Sequence, residues 1–279
     1  MTRYVIRRVL LLIPVLLGVS LLAFMVLHLA PGDAAQFLAG PQATAEDLAR
    51  IRRQMGLDRP LYVQYLDFLG GVVTGDLGES IQRRQPVTEM LAERYPNTIR
   101  LAIASILVAI LIGVPSGIIS AIRRGSAVDH ASLVVSLLGI SMPGFWLGLM
   151  LILLFAVRLQ WLPAAGFAHP WWSWAGIKSM ILPAFTLGAG GAALTARVTR
   201  SAMVEVLGQD YMRTARSKGL SEGTVIMRHA LKNALIPVVT VVGLNFGFLL
   251  GGTVIIESVF AINGVGRLAV DAIRGRDYP

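Results

Sequence analysis

The chain has 279 residues, of which 55% are hydrophobic and only 15% are charged, and its formal net charge is +9. A soluble domain is about 45–50% apolar and about 25% charged, and here the apolar excess lies in long runs, which indicates a membrane protein. The absence of cysteine excludes disulfides, thiolate catalysis and cysteine-ligated metals. Lys and Arg in membrane loops set orientation, so the positive charge does not indicate a nucleic-acid partner.

Five apolar runs each come close to the roughly 20 residues that a helix needs to cross a bilayer. The first follows three arginines and exceeds the roughly 7–15 apolar residues of a signal peptide, so it is interpreted as a retained span. Pro14, Pro115 and Pro143 lie inside these runs, which membrane helices tolerate when their neighbours satisfy the freed carbonyls. The runs cover residues 9–30, 98–122, 131–157, 180–196 and 234–256.

The long segment after the first run, residues 31–96, contains a predicted helix. Thr44 has the character of an N-cap, and Asp47 follows it three residues later. Apolar residues then recur on one face, and Gly56 is a stop signal. We therefore expect a helix over residues 44–55 and a partly ordered segment rather than a loose linker.

The positions of the basic residues predict the orientation of the chain. The N-terminus, the loop after the second run and the segment 197–233 all carry Lys or Arg, and the order of the spans places these three on one side. The positive-inside rule makes that side cytoplasmic and makes residues 31–96 extracytoplasmic. Tryptophans between the third and fourth runs are typical of an outer aromatic belt. They are Trp161, Trp171, Trp172 and Trp174.

Small residues recur at every fourth position in the last two runs. Such stripes let membrane helices approach closely, because helix association in lipid depends on van der Waals packing. The alternative is that Gly and Ala occur there incidentally, since both are common in membrane helices. The stripes are Ala184, Gly188, Ala192 and Ala196 in the fourth run, and Gly243, Gly247 and Gly251 in the fifth.

Known catalytic and nucleotide-binding motifs do not occur in the sequence. It has no GxxxxGK[ST] loop, no HExxH and no GxSxG, so we expect no ATP site, no protease activity and no cofactor. Glu257, near the outer end of the fifth run, is a candidate path or gate residue, because ionisable groups at membrane depth are often functional. Alternatively, it reaches water at the helix end. No metal site is predicted from the scattered histidines His28, His130, His169 and His229.

The segment 197–233 is rich in helix formers and is interrupted at Gly208 and Gly219. Ala215 and Gly219 are four residues apart, which predicts a bare patch where two short helices pack. Ser221 is a candidate N-cap for the second helix. We interpret the segment as a basic helix–turn–helix that another protein binds. The alternative is a stretch that lies on anionic lipid. Its apolar strip consists of Val225, Ile226, Ala230 and Leu231.

This segment resembles the EAA loop of ABC importer permeases, which docks in a groove of the ATPase subunit. The match consists of Ala215, Gly219 and the "LIP" that ends at Pro237. Arg-Thr replaces the Glu-Ala that normally precedes Ala215, a variation found in the dipeptide/oligopeptide/nickel/glutathione-type permeases. The resemblance implies a set of ATPase-coupling residues. They are Arg213, Thr214, Ala215, Gly219, Leu220, Ser221, His229 and Pro237.

The resemblance covers essentially the whole chain. "LHLAPGD", "GISMPGFWLG", "ILPAFTLG", "RHALKNALIPVVT" and "GVGRLAVDAIRGRDYP" occur in the order that this branch has them. Ala34 and Asn263 stand where the family usually has proline. The family normally continues past "RDYP" into a sixth span, so the resemblance implies that this sequence stops short of it.

The resemblance implies an all-α polytopic membrane bundle, with one permease domain over residues 1–279 and five visible spans in the inner (plasma) membrane of a bacterium or archaeon. Its N-terminus would be cytoplasmic. It implies half of a translocation path, with no catalysis by the chain itself. The implied partners are the lipid bilayer, a second homologous permease, two ABC ATPase subunits and an extracytoplasmic substrate-binding protein.

The substrate stays open among dipeptides, oligopeptides, glutathione and nickel chelates. A stand-alone secondary transporter or channel is the alternative function, and co-purification with ATPase subunits would separate the two.

Overall fold

The computed structural model describes residues 2–29, 35, 43–54, 56–167, 170–251, 253–275 and 277. These residues form helices, turns and one isolated antiparallel β-bridge, between Glu79 and Pro86, which confirms the all-α prediction. The helices are α1 (Thr2–Leu29), α2 (Ala45–Gln54), α3 (Leu61–Thr74), α4 (Val87–Ile122), α5 (Ala127–Ser141), α6 (Gly144–Arg158, with π-helical turns at Ile152–Arg158), α7 (Trp174–Leu207), α8 (Asp210–Ser217), α9 (Glu222–Leu250, π-helical at Val225–Ala230), α10 (Val254–Val259) and α11 (Val265–Gly275).

Four of the described helices are long and apolar enough to cross a membrane, and the bent pair α5–α6 makes five if it counts as one span. The predicted runs 98–122 and 180–196 lie within α4 and α7, and the described residues 9–29 of the run 9–30 lie within α1. Both α4 and α7 extend past their apolar runs. Part of the segment 31–96 therefore belongs to the helix α4, which starts at Val87.

The third predicted span is not one continuous helix. The axes of α5 and α6 are bent by 100° at the break between them. Met142 has an extended backbone (φ −79°, ψ 124°), as expected of a residue before proline, and Pro143 has no N–H to continue the helix. By contrast, Pro14 and Pro115 lie inside continuous helices, so tolerance of proline was predicted correctly only for those two.

The fifth predicted span ends earlier than expected. Helix α9 stops at Leu250, and the N–H of Gly251 bonds back to the carbonyls of Phe248 and Leu249. Residues 254–256, which the prediction included in the span, belong to the separate short helix α10. The span was therefore predicted six residues too long, because the apolar run continues beyond the helix.

Two compact units make up the chain, and the first contains residues 1–93 and 271–279. In it, α2 starts where the sequence predicts. Thr44 Oγ1 accepts a hydrogen bond from the Asp47 N–H (3.2 Å), and the Asp47 carboxylate accepts from the Thr44 hydroxyl (2.7 Å). The bond from this hydroxyl, with the one from the Thr44 N–H, lowers the pKa of Asp47. Gly56 (φ +66°) follows the helix, and Met55 of the predicted helix lies outside the described residues.

Aromatic side chains join α1 to α3 in this unit. The ring of Phe24 lies 5.4 Å from that of Tyr65, and the Tyr65 hydroxyl donates to the carbonyl of Leu17 at 3.1 Å. Most of the large apolar side chains of α1 are exposed. This is the surface expected of a helix whose surroundings are lipid or another subunit.

Helix α7 lies at the centre of the second unit, residues 94–270, and packs on α4, α5, α6 and α9. Small residues make the closest approaches. A Cβ added at Gly188 would lie 2.7 Å from the Ser105 carbonyl oxygen. From the other side, a Cβ added at Gly117 of α4 would lie 2.6 Å from the Ala196 carbonyl oxygen. The backbones of α4 and α7 thus touch, and side chains larger than hydrogen do not fit between them.

We predict that Gly117→Ala destabilises the bundle, because the new methyl group overlaps Ala196 and Thr199 of α7. Overpacking of this kind costs about 1–3 kcal/mol. Gly190→Ala is the matched control, since a Cβ there meets no atom within 4 Å. Thermal unfolding of the detergent-solubilised variants measures the difference. Equal midpoints for the two variants would show that α4 and α7 are not in close contact.

Candidate functional site

The turn between α7 and α9 is shorter than the predicted segment 197–233. Helix α7 continues to Leu207, and α9 already begins at Glu222. The connection therefore consists of residues 208–221, which include the short helix α8. We call residues 208–221 the connecting turn. The breaks at Gly208 and Gly219 lie where the sequence predicts them.

Gly219 shapes the connecting turn by its backbone and not by close packing. Its φ is +76°, in the left-handed region that favours glycine, and a Cβ at this position would meet nothing within 4 Å. Ala215 is buried, whereas Gly219 is exposed. The two residues therefore do not form the predicted bare patch between two helices. Only Ala215 packs, and Gly219 reverses the chain direction.

A hydrophobic cluster attaches the connecting turn to the ends of α4, α7 and α9. Met203 of α7, Met212 of α8 and Val225 of α9 are each fully buried in it. The predicted apolar strip lies against this cluster, so the second half of the segment was predicted correctly. Three helices therefore meet at the connecting turn. The other buried members are Ala121, Ala202, Ala215, Ile226, Ala230 and Ala234.

Most of the predicted coupling residues are exposed on the outside of this turn. Arg213, Thr214, Leu220 and Ser221 are exposed on its surface, and so is Lys218. His229 is half-buried in the first turns of α9. Pro237 lies 16 residues after Ser221, which is about 24 Å along a helix, so it does not belong to the same surface.

Two polar contacts hold the connecting turn in one conformation. Arg216 donates to the Glu222 carboxylate through Nε (3.1 Å) and Nη2 (2.9 Å), and these hydrogen bonds raise the pKa of Arg216. The Asn233 side chain donates to the Tyr211 hydroxyl at 2.7 Å. Ser221 occupies the N-cap position as predicted, but its hydroxyl pairs with that of Thr224 and bonds no backbone N–H.

A buried ion pair near this cluster was not predicted from the sequence. Asp129 accepts hydrogen bonds from Arg200 Nε (2.6 Å) and Nη2 (2.8 Å), from the Ser120 hydroxyl and from the Gly125 N–H. Its side chain is 3% exposed. The pair joins α4, α5 and α7. The only local signal was Ser126 three residues before Asp129, which is a helix-start pattern.

Glu257 is enclosed within the described part of this chain. It is 0% exposed, and its carboxylate accepts from the Thr98 hydroxyl (2.9 Å) and from the Arg267 N–H (2.8 Å). Gly264 packs on the carboxyl group, where an added Cβ would lie 2.3 Å away. The interpretation that Glu257 reaches water at a helix end is therefore wrong for this conformation, because the apolar run placed it in a span that ends at Leu250. Its role as a path or gate residue stays a prediction.

The two stripes of small residues have different surroundings. Ala184, Gly188 and Ala192 are buried within α7. A Cβ added at Gly243 or Gly247 would meet nothing within 4 Å, and Gly251 is exposed. The second stripe is therefore not covered by another described helix of this chain, and its contact with a partner stays a prediction.

An apolar groove of about 480 Å³ opens between α4, α5 and α7. Its walls carry small and aliphatic side chains, with a few hydroxyl groups. The lining includes Ile112, Ser116, Val135, Ser136, Gly139 and Phe185. Among the described residues, no group of three or more His, Cys, Asp or Glu side chains could hold a metal.

Comparison with known proteins places this geometry in a family. Residues 113–279 match the family described as "Binding-protein-dependent transport system inner membrane component", and residues 1–102 match the corresponding N-terminal family. The chain is 48% identical to the "Glutathione transport system permease protein GsiC" of Escherichia coli (strain K12), over 100% of this chain and 89% of that protein. The protein of the same name from Salmonella choleraesuis (strain SC-B67) is also 48% identical over the same shares.

A solved structure shares the fold. It is the MetNI methionine ABC transporter in an inward-facing conformation, with a TM-score of 0.52 and 19% identity. The match covers 67% of this chain and 81% of that chain. At this identity the likeness supports the helical architecture alone.

We predict that Asp129→Asn lowers the thermal unfolding midpoint, because Arg200 would lose the charge that compensates it near the cluster. Asp210→Asn is the control, since Asp210 is almost fully exposed and lies 3.8 Å from Arg213. A double-mutant cycle with Arg200→Gln isolates the pair. Additive effects of the two substitutions would mean that the ion pair itself contributes nothing to the stability of the protein.

Proposed function

Because this chain belongs to the family of inner-membrane components of binding-protein-dependent transport systems, it is a transmembrane subunit of an ABC importer, and we propose that its connecting turn couples ATP hydrolysis on partner subunits to solute uptake. The observation that carries this proposal is the construction of the turn. Its inner side is a buried cluster shared by three helices, and its outer side is exposed and basic. A membrane-bound chain that lacks an ATP site needs such a contact to receive energy from a partner.

The proposed orientation places the connecting turn in the cytoplasm. Basic residues near the ends of membrane helices favour the cytoplasmic side. The N-terminus, the α4–α5 turn with Arg123 and Arg124, and the connecting turn all carry them. The segment 31–96 would then face outward, where a binding protein would deliver substrate. This assignment puts the ATPase partners and the binding protein on opposite faces.

We propose that motion passes from the ATPases to the membrane through the hydrophobic cluster. Met212 lies on the moving turn, Val225 lies in the first turn of α9, and Met203 lies near the end of α7, which continues without a break into the bundle. ATP can shift the conformation only if the whole complex binds it more tightly in one state than in the other. A displaced turn would then tilt α7 and α9 together, which fits an alternating-access mechanism.

We propose that a second homologous permease forms the other half of the path and covers α9. The stripe of Gly243, Gly247 and Gly251 is open in this chain, although small residues at this spacing suit close helix packing. Large apolar side chains beside it are also exposed, among them Leu244 and Phe248. Two ATPase subunits would bind the two connecting turns of such a pair.

The proposed substrate class is glutathione or another short peptide. The support is the 48% identity to proteins named as glutathione permeases. The groove of this chain is almost entirely apolar and offers few groups that could recognise a charged peptide. We therefore assign selection mainly to the binding protein. Dipeptides, oligopeptides and nickel chelates are the other candidates.

We predict that proteoliposomes with this chain, its co-encoded permease, ATPases and binding protein take up labelled glutathione only when ATP is present. Gly219→Ala should lower uptake per ATP several-fold, because a Cβ in the left-handed region costs about 1–2 kcal/mol and shifts the turn. Gly223→Ala is the control, since that glycine has ordinary helical geometry and open space around it.

Two results of this assay would contradict the proposal. Uptake that continues without ATP or without the ATPases would support the alternative function of a stand-alone carrier or channel. Equal coupling in the Gly219→Ala and Gly223→Ala variants would remove the role of the connecting turn. Preference for a dipeptide or a nickel chelate in competition assays would change only the substrate.

We predict that Gly247→Leu reduces the amount of second permease that co-purifies with this chain, because the added side chain would occupy the contact surface of α9. Gly18→Leu in α1 adds the same bulk at another glycine with nothing within 4 Å. Quantitative pull-down from solubilised membranes compares the two. Unchanged recovery with Gly247→Leu would show that this stripe faces lipid.

A further inference from the structure

Residues 78–86 form a short loop that leads into α4 and carries two adjacent arginines. Arg83 and Arg84 are exposed, and neither forms an ion pair with any residue that the structure describes. Two neighbouring guanidinium groups are a local source of positive potential, which Glu79 in the same loop and the Asp277 carboxylate beside it partly offset. We call residues 78–86 the arginine loop.

Contacts with the end of α11 hold the arginine loop in place. The Asp277 carboxylate accepts from the Ser80 hydroxyl and, at 2.7 Å, from the Ile81 N–H. The Gln82 side chain donates to the Gly275 carbonyl at 2.9 Å. An added Cβ at Gly275 would lie 2.4 Å from Gln82, so the fit is close. All these residues belong to the first unit.

Hydrogen bonds inside the loop fix its tip as well. The Arg83 N–H donates to Ser80 Oγ (3.1 Å), the Arg84 N–H donates to the Ser80 carbonyl (2.8 Å), and the Ser80 N–H donates to the Gln85 carbonyl (2.9 Å). Arg84 has a φ of +51°, which is unfavourable for a residue with a Cβ. Such conformations persist where surrounding contacts impose them, and they concentrate at functional sites.

The arginine loop stands away from the apolar part of the helix that follows it. Helix α4 starts at Val87, and its apolar run begins at Thr98, so about 16 Å of helix with mixed polar and apolar residues precedes the run. That helical stretch carries the acidic residues Glu89 and Glu93. The loop is therefore better placed to meet a soluble partner than the hydrocarbon of the bilayer.

We propose that Arg83 and Arg84 bind an acidic surface patch of the extracytoplasmic binding protein. The inference rests on the proposed function, which places this face outward and brings a soluble protein to it. Guanidinium groups bind carboxylates in a bidentate manner, and a loop that is already ordered loses little entropy on binding. Charges at the rim of an interface act mainly on the association rate and its salt dependence.

The test compares Arg83→Gln/Arg84→Gln with Arg123→Gln/Arg124→Gln, a second exposed arginine pair at the other end of α4. The full transporter in phosphatidylcholine nanodiscs is titrated with its co-encoded binding protein, and ATP hydrolysis is measured. The loop variant should need about three- to tenfold more binding protein for half-stimulation at low salt. Its maximal rate should be unchanged, and high salt should remove the difference. The control pair should behave like the wild type.

The outcomes separate the two proposals. If binding protein stimulates the wild type and the loop variant equally, the docking proposal is wrong and the proposed function stands. If no binding protein stimulates the wild type, the proposed function itself fails. An effect of the variant that needs phosphatidylglycerol in the nanodisc and persists without binding protein would assign the arginines to anionic lipid and overturn the proposal.

A second variant gives a readout that does not depend on hydrolysis. The chain has no cysteine, so Gln85→Cys introduces a single thiol beside Arg84. A membrane-impermeant maleimide should label it in intact cells, and binding protein should slow this labelling in nanodiscs. Labelling only after permeabilisation would place the loop inside and overturn both the orientation and the docking. External labelling that binding protein leaves unchanged would overturn the docking alone.

Discussion

The close approach of α4 and α7 is the constraint on which the second unit depends. Lipid tails are as apolar as the helices, so burial of apolar surface does not drive helices together inside a membrane. Close contact between the helices must therefore come from complementary shapes of their surfaces. Gly117 and Gly188 allow the two backbones to touch along several turns, and α5, α6 and α9 pack around the same central helix. A larger side chain at either glycine would separate the helices that all the others use as their support.

The ion pair of Asp129 and Arg200 fixes the position of α5 along α7. When two helices pack through small residues, one helix can slide along the other by one turn at little cost in free energy, since many positions along it are alike. A bidentate pair between α5 and α7 is satisfied in one register only, because any other leaves buried charge uncompensated. The hydrophobic cluster under the connecting turn lies near the same ends of the helices. Helix α7 has 34 residues, about 51 Å in length, so one continuous helix leads from this end into the bundle.

The sequence predicts what depends on local composition. Apolar runs located α1, α4 and α7, and the Thr44–Asp47 pattern located the start of α2, since hydropathy and capping involve residues close together in the chain. The bend at Pro143 was not predicted, because Pro115 has the same local signal inside a continuous helix. What differs is whether the tertiary surroundings allow the residue before proline to leave the helix.

Interactions between residues that are far apart in the chain could not be predicted from the sequence. Asp129 and Arg200 are 71 residues apart, and no periodicity links them. The stripes in α7 and α9 have the same spacing, yet only the first is buried in this chain. The recurrence of small residues at every fourth position shows that one face of a helix carries only small side chains. Which helix packs on that face depends on the assembled fold. The same reasoning explains Gly219, whose value lies in its positive φ and not in its distance from Ala215.

The buried acids bear on how energy enters the chain. A carrier driven by protons needs a carboxyl group that can exchange its proton with a path. Glu257 is enclosed, and its carboxylate accepts the N–H of Arg267 in the first turn of α11, where helix N–H groups lack partners of their own. Asp129 is held by Arg200 and Ser120. Both carboxyl groups are thus engaged in hydrogen bonds within the fold. This arrangement supports the proposal that a partner subunit supplies the driving force. The connecting turn, exposed on one side and tied to three helices on the other, is the surface that we propose receives it.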